Sequence, residues 1–304
     1  MSAHAARVQL LCALRSHDYR FICVTPATHA RVLARLQGRP NLRDVFGWNR
    51  PFAPDEISSD LWRLLEAADA LETVAEGKLR SRIRVASLDD LLFIHSSFPT
   101  EAADSVFFGP DTYRFVRFIQ RQLAKSEGAR NVVDMGAGTG AGGIAIARLC
   151  TGARITCVEM NSRANEYARA NAAAAGVEVE FVQSDRLPSR ADVVIANPPY
   201  MMDARSRTYR DGGQLLGGAV ALDWVRQGLS NVARGGQILL YTGAAYVDGG
   251  SPLVSALEEE CRSAGAPMMV EEIDPDVFGE ELDEPPYQGA ERIGAVGISI
   301  SLRG

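Results

Sequence analysis

Asn131-Val132-Val133-Asp134-Met135-Gly136-Ala137-Gly138-Thr139-Gly140 runs from an apolar strand straight into a glycine-rich turn, and helical spacing follows over 141–149. Glycine in such a turn permits positive φ and lets a ligand approach the backbone. The helix behind it offers unsatisfied N–H groups. The same alternation continues outward. Strands are predicted at Ile155 to Glu159, Val177 to Gln183, Asp192 to Ala196, 237–242, 268–273 and 293–302, with helices over 162–175, 218–233 and 252–264. Repeats of this kind predict an α/β fold with a doubly wound, mostly parallel sheet. Ligands of such sheets bind at the carboxyl ends of the strands.

The candidate binding residues fall at those ends. Asp134, Gly136, Gly138 and Gly140 form the first turn. Glu159 closes the second strand with Met160 beside it, and a carboxylate there can accept both ribose hydroxyls of an adenosyl group. Ser184 and Asp185 follow the third strand and can accept from an adenine amino group. These residues do not separate S-adenosylmethionine from a dinucleotide, since both carry adenosine. Gly138, Gly140 and Gly143 also satisfy the G-x-G-x-x-G pattern, so a nicotinamide oxidoreductase stays open at this point.

Asn197-Pro198-Pro199-Tyr200, directly after the apolar strand Val193 to Ala196, decides between them. With this tetrapeptide in fourth place behind the glycine turn, the chain resembles the class I S-adenosylmethionine-dependent methyltransferases of the Asn-Pro-Pro-Tyr branch. That branch includes the release-factor (HemK-type) glutamine methyltransferases and the amino-methylating adenine enzymes. The resemblance implies a seven-stranded sheet, S-adenosyl-L-methionine as cofactor, and methyl transfer to a planar amide or amino nitrogen. The lone pair of such a nitrogen is delocalised. The Asn197 side-chain oxygen and the Pro198 carbonyl would accept its two N–H bonds and turn the lone pair towards the sulfonium methyl. Consecutive prolines hold the backbone shape and remove competing donors. Tyr200 would offer a flat face to the acceptor. Asn197, Pro198 and Tyr200 are thus the catalytic candidates, and Asn197 also borders the cofactor. No strong general base is required, because positioning alone can lower a barrier by about 7–11 kcal/mol.

The resemblance covers residues 106–304. Phe107-Phe108-Gly109-Pro110-Asp111-Thr112 is similar to the segment that floors the cofactor pocket in HemK-type enzymes. Tyr209-Arg210-Asp211-Gly212-Gly213, with Gly217-Gly218 downstream, resembles their Asp-Gly-Gly loop. Gly294 to Leu302 fits their antiparallel seventh strand.

The remainder of the chain is read from composition and pattern. At 304 residues, 46% hydrophobic and 23% charged, it is ordinary globular protein with a prior of two domains. Residues 1–95 are expected to form a smaller α+β domain with helices over 4–16, 28–37 and 58–70, 96–105 a linker, and 106–304 the methyltransferase domain. Lys78 to Val85 alternates strictly, which puts Lys78, Arg80, Arg82 and Arg84 on one face of a strand, and Leu91 to Ile94 can pair with it. Helices followed by a basic hairpin suggest a winged-helix-like module that touches RNA phosphates or an acidic protein face. The alternative is a solvated edge strand balanced by Glu72, Glu76, Asp89 and Asp90.

Net charge is −6, from 32 basic and 38 acidic residues, which excludes a uniformly basic nucleic-acid coat. The acidic excess lies in the last third. Residues 271–291 hold nine acids and no bases, and are expected to recognise a basic segment, exclude nucleic acid, or form a solvated insert. Five cysteines without a C-x-x-C pair and four scattered histidines suggest neither disulfides nor a metal site. No apolar run approaches a membrane span of about 18 residues, so a cytoplasmic protein with no membrane partner is expected. The acceptor is then a protein glutamine-type amide, with an RNA or DNA amino group, a small-molecule nitrogen, or a non-catalytic cofactor-binding scaffold as alternatives.

Overall fold

The computed structural model describes residues 1–124, 131–188, 190–203 and 207–303. Its first helix, α1 (Ala3–Ser16), is capped by the Ser2 side chain, which accepts from the Ala5 N–H at 3.2 Å. Apolar residues at helical spacing give α1 one buried face, made of Ala6, Leu10, Leu11 and Leu14. Three shorter helices follow: α2 (Pro26–Leu33), α3 (Leu42–Phe46) and α4 (Ser59–Ala67). Strands β1 (Leu71–Thr73) and β2 (Leu79–Ser81) pair antiparallel, as do β3 (Ile83–Leu88) and β4 (Leu91–Ser96).

The continuous basic face expected over 78–85 does not form. The chain changes partner at Arg82, so β2 belongs to one ribbon and β3 to another. Arg80 pairs with Glu72 at 2.6 Å and Arg82 with Asp69 at 3.5 Å, while Arg84 is buried. Every residue of β3 and β4 is buried, so the hairpin is not a projecting wing. It is covered by α1 and by α7 (Ser162–Ala175) from the second half of the chain.

That second half begins with α5 (Pro110–Leu123) and continues β5 (Asn131–Met135), α6 (Ala141–Leu149), β6 (Arg154–Val158), α7, β7 (Glu180–Val182), β8 (Ala191–Ala196), α8 (Ala219–Asn231), β9 (Val232–Tyr246), α9 (Pro252–Ser263), β10 (Met268–Asp274) and β11 (Arg292–Ser301). One seven-stranded sheet results, in the order β10-β11-β9-β8-β5-β6-β7. The five strands from β9 to β7 are parallel, and β11 inserts antiparallel between β9 and β10. β9 is longer than expected because β11 pairs along it from Gln237 to Tyr246. Order reverses at β5 and β8, and the crevice between their carboxyl ends is where such sheets hold ligands. Among the described residues no helix is long and apolar enough to cross a membrane.

Small alanines on α7 let α1 and β4 approach closely. Asn171 then locks the two halves together. It is fully buried, accepts from the Ile94 N–H at 2.8 Å, and donates to the carbonyls of Ile94 (3.2 Å) and Thr139 (3.0 Å). Asn171→Ala leaves these backbone groups unpaired in a dry site. It is expected to destabilise the protein by about 3 kcal/mol, read as a fall in the urea midpoint. A change below about 0.5 kcal/mol would show that the lock is weak.

Candidate active site

The glycine turn after β5 adopts positive φ at Gly136 (+67), Gly138 (+54) and Gly140 (+76). At Gly136 a Cβ would lie 2.2 Å from the Trp224 ring, so only glycine fits there. Glu159, at the end of β6, accepts the Gly138 N–H at 2.8 Å on one oxygen and the Asn161 N–H at 2.8 Å on the other. Each oxygen keeps a lone pair for a hydroxyl donor. Asp134 accepts the Gly143 N–H at 2.7 Å and is buried, and a Cβ at residue 142 would stand 2.9 Å from its carboxylate.

Neither Asp134 nor Glu159 has an ion-pair partner among the described residues. Burial pushes the Asp134 carboxyl up to about 7, helped by the nearby Glu159 charge and opposed by the Gly143 hydrogen bond. Burial likewise raises Glu159. Folded Asp134 therefore holds its proton more tightly than the unfolded chain does. Its stabilising contribution is complete below the ordinary carboxylate range and is lost as pH rises through about 7. Asp134→Asn stays neutral, so its stability relative to the wild type should improve as pH rises from about 4 to about 7 and level off above that, read by urea unfolding. A pH-independent difference would contradict this.

β8 delivers Asn197-Pro198-Pro199-Tyr200 to the neighbouring strand end. The Asn197 carboxamide has no hydrogen-bond partner among the described residues and lines the cavity. Tyr200 is more buried than a stacking platform would be. Its ring lies over Gly243, where a Cβ would come within 2.2 Å, and meets Phe278 edge-on at 5.9 Å. Its hydroxyl is enclosed near Asp111 and Tyr241 without a partner among the described residues. Asp111 itself is held by the Tyr241 hydroxyl (2.6 Å) and by Arg114 (3.3 Å), and Arg114 reaches Asp274 at 2.7 Å.

One cavity of about 1150 Å³ is lined by Asp134, Gly136, Gly138, Glu159, Met160, Ser184, Asp185, Asn197, Pro198 and Tyr200, so the expected residues converge. Gly140 is the exception: it is the left-handed cap of α6, packed against Ile144 and Ala168, and does not border the cavity. Met160 and Asp185 sit on the exposed rim. The acidic segment reaches the same cavity through Asp276, Glu280 and Glu281. It is solvated only in part: Asp276, Glu280, Asp283, Glu284 and Glu291 are exposed, while four of its acids are ion-paired. Arg121, Arg292, Arg114 and Arg210 pair with Glu271, Glu272, Asp274 and Glu281, and the buried Tyr287 hydroxyl accepts from the Met202 N–H at 2.9 Å. Arg207 holds Asp203 down to about 2 at the edge of this network. Trp224 and Tyr241 were not legible as cavity or support residues because aromatic positions in predicted elements read equally well as core, and Thr25, His29, Arg84 and Phe98 were not because they come from the segment expected to form a separate domain and linker.

This cavity suits an adenosyl sulfonium better than a dinucleotide. Two buried carboxylates without cations favour a ligand that brings positive charge. The Gly138 N–H that would meet a pyrophosphate is already given to Glu159.

Comparison with known proteins agrees. A family model described as Methyltransferase small domain matches residues 115–221. The chain is 30% identical over 182 residues to the release factor glutamine methyltransferase of Deinococcus radiodurans, across 57% of this chain and 63% of that protein. It is 35% identical over 111 residues to the tRNA1(Val) (adenine(37)-N6)-methyltransferase of Phocaeicola vulgatus, across 31% of this chain and 47% of that one. The chain thus spans less than two thirds of these relatives' length. Trm5b from Pyrococcus abyssi superposes with a TM-score of 0.51 at 15% identity, over 88% of this chain and 82% of its own, which shows a common fold. Fold, site and matches point to one class: residues 115–221 match a methyltransferase small domain, set in a seven-stranded sheet whose β8 is followed by the Asn-Pro-Pro-Tyr segment. Within that class the chain is similar to release factor glutamine methyltransferases.

Proposed function

We propose that the protein transfers a methyl group from S-adenosyl-L-methionine to a planar nitrogen, and that the acceptor is a glutamine-type amide of a protein. The observation that carries this reading is the Asn197 carboxamide, free of partners among the described residues, on the wall shared with Asp134 and Glu159. Asn197 Oδ1 and the Pro198 carbonyl accept the two amide hydrogens and fix the nitrogen's orientation. S-adenosylmethionine, when bound, supplies an activated sulfonium methyl. Asp134 and Glu159 hold its adenosyl side, and Asp185 on the rim offers an acceptor for the adenine amino group. The rim acids Asp276 and Glu280, without ion-pair partners among the described residues, disfavour a polyphosphate backbone and so favour a protein over RNA.

The test is calorimetric binding of S-adenosylhomocysteine, followed by transfer of a radiolabelled methyl group into cell extract. Saturable binding and protease-sensitive, nuclease-resistant label are expected. Absence of binding would overturn the methyltransferase assignment. Nuclease-sensitive label would overturn the protein acceptor and favour a base amino group, the acceptor named for the Phocaeicola vulgatus relative.

A further inference from the structure

Arg84 was expected on an exposed basic face and is instead 5% exposed, within the N-terminal half and on the cavity wall. Its Nε donates to the Ser96 carbonyl at 3.1 Å and its Nη1 meets His29 Nδ1 at 3.2 Å. His29 Nε2 lies 2.9 Å from the Trp48 carbonyl. A carbonyl can only accept, so Nε2 carries the proton and Nδ1 offers its lone pair to the guanidinium. The Cys23 thiol is a further hydrogen-bonding neighbour, and no carboxylate pairs with the guanidinium among the described residues.

These contacts orient the guanidinium and do not neutralise it. The titratable groups that face Arg84 are Cys23, Tyr19, Tyr113, His29 and His95, and none is a carboxylate. Burial raises the thiol and both phenols, and burial together with the Arg84 charge lowers both histidines, His29 to about 4. All five are therefore neutral near pH 7, and Arg84 carries an uncompensated buried charge. Leaving such a charge unpaired is costly unless a ligand answers it. A second feature points the same way. The first turn of α2, at Thr25, Pro26 and Ala27, lines the same cavity and presents the positive end of its helix dipole, and His29 of the same helix touches the guanidinium. Phe98 and Phe108 add apolar surface to the cavity wall, and Phe98 lies 5.9 Å from the guanidinium.

We propose that Arg84, oriented by His29 and assisted by the α2 N-terminus, is an anion-binding subsite that takes a carboxylate of the methyl acceptor and so determines substrate choice. The inference deepens the protein-amide reading above and rests on it. A single carboxylate is favoured over a nucleic-acid phosphate chain because the acidic rim opposes extended polyanions.

The probes are N-acetylglutamine, which carries both an amide and a carboxylate, its uncharged N-acetylglutamine amide, and inorganic phosphate. Each is titrated calorimetrically into full-length protein saturated with S-adenosylhomocysteine. The carboxylate probe should bind roughly tenfold or more tightly than the uncharged one. That preference should vanish in Arg84→Gln and persist in part in Arg84→Lys, with S-adenosylhomocysteine affinity unchanged in both. Equal binding of the two amide probes, binding of neither, or a preference that survives Arg84→Gln overturns the subsite. Preferential binding of phosphate overturns the carboxylate and indicates a nucleotide acceptor. If Arg84→Gln fails to fold, seen as lost S-adenosylhomocysteine binding, the wild-type preference for the charged probe decides alone. Failure of the wild type to bind S-adenosylhomocysteine strikes the methyltransferase reading instead, so the two failures are distinguishable.

Discussion

Asn197→Ala is expected to lower methyl transfer by about 10²–10³-fold while leaving S-adenosylhomocysteine affinity within about twofold. The expectation follows from what the side chain touches. Its carboxamide makes no hydrogen bond to the described protein, so its removal breaks no packing lock. The cofactor side of the cavity is held by other groups, namely Glu159 through the Gly138 and Asn161 N–H groups and Asp134 through that of Gly143. What alanine removes is an acceptor for one amide hydrogen of the substrate, and with it the orientation of the nitrogen lone pair. Such positioning acts on the transition state more than on cofactor binding. Asn197→Asp is the sharper companion. It retains an oxygen acceptor but adds a negative charge to a cavity already holding two buried carboxylates, so it should lose activity while tightening binding of the cationic cofactor. Transfer of label into extract at the wild-type rate in Asn197→Ala would remove Asn197 from the reaction.

Much of the catalytic half was legible because it is locally redundant. The glycine turn, the acids at strand ends and the Asn-Pro-Pro-Tyr segment each carry their own signal, and all but Gly140 meet at one cavity. Gly140 misled because a left-handed helix cap and a ligand-facing turn ask the same freedom of glycine. The N-terminal half was less legible. Strict alternation over 78–85 is a true strand signal, but alternation cannot say that the chain switches ribbons at Arg82, nor which charged face is buried. Burial of Arg84 depends on His29 and Ser96, residues 55 and 12 positions away. α3 escaped because five residues give too little periodicity, although Asn41 and Asp44 form a reciprocal capping box at its start. The acidic segment read as solvated because its counter-charges, Arg114, Arg121 and Arg210, come from distant elements. Charge runs show what must be compensated and not where the compensation lies.

Gly217→Ala is expected to abolish transfer and to lower stability by several kcal/mol. The Asp-Gly-Gly loop crosses the Asn-Pro-Pro-Tyr segment backbone to backbone. Met201 donates to the Arg210 carbonyl at 3.0 Å, and Gly212 donates to the Met201 carbonyl at 2.7 Å. At this crossing Gly217 has φ +87, and a Cβ there would stand 2.1 Å from the Tyr200 carbonyl oxygen and 2.6 Å from its carbon. Neither contact is with a flexible side chain, so relief requires the Asn-Pro-Pro-Tyr backbone to move. The loop has little slack for this, since Leu215 (φ 60) and Leu216 (φ 51) already occupy the left-handed region. Displacing Tyr200 shifts the preceding Pro198 carbonyl and Asn197, and a misplacement of about 1 Å is enough for a loss of about 10²-fold. Gly249→Ala separates the two causes. Gly249 has φ +76 and nothing within 4 Å of a built Cβ, so that variant bears the backbone penalty alone. It should lose about 1–2 kcal/mol in urea unfolding and keep wild-type transfer. If Gly217→Ala behaves like Gly249→Ala in both assays, the close crossing does not hold the acceptor site in shape.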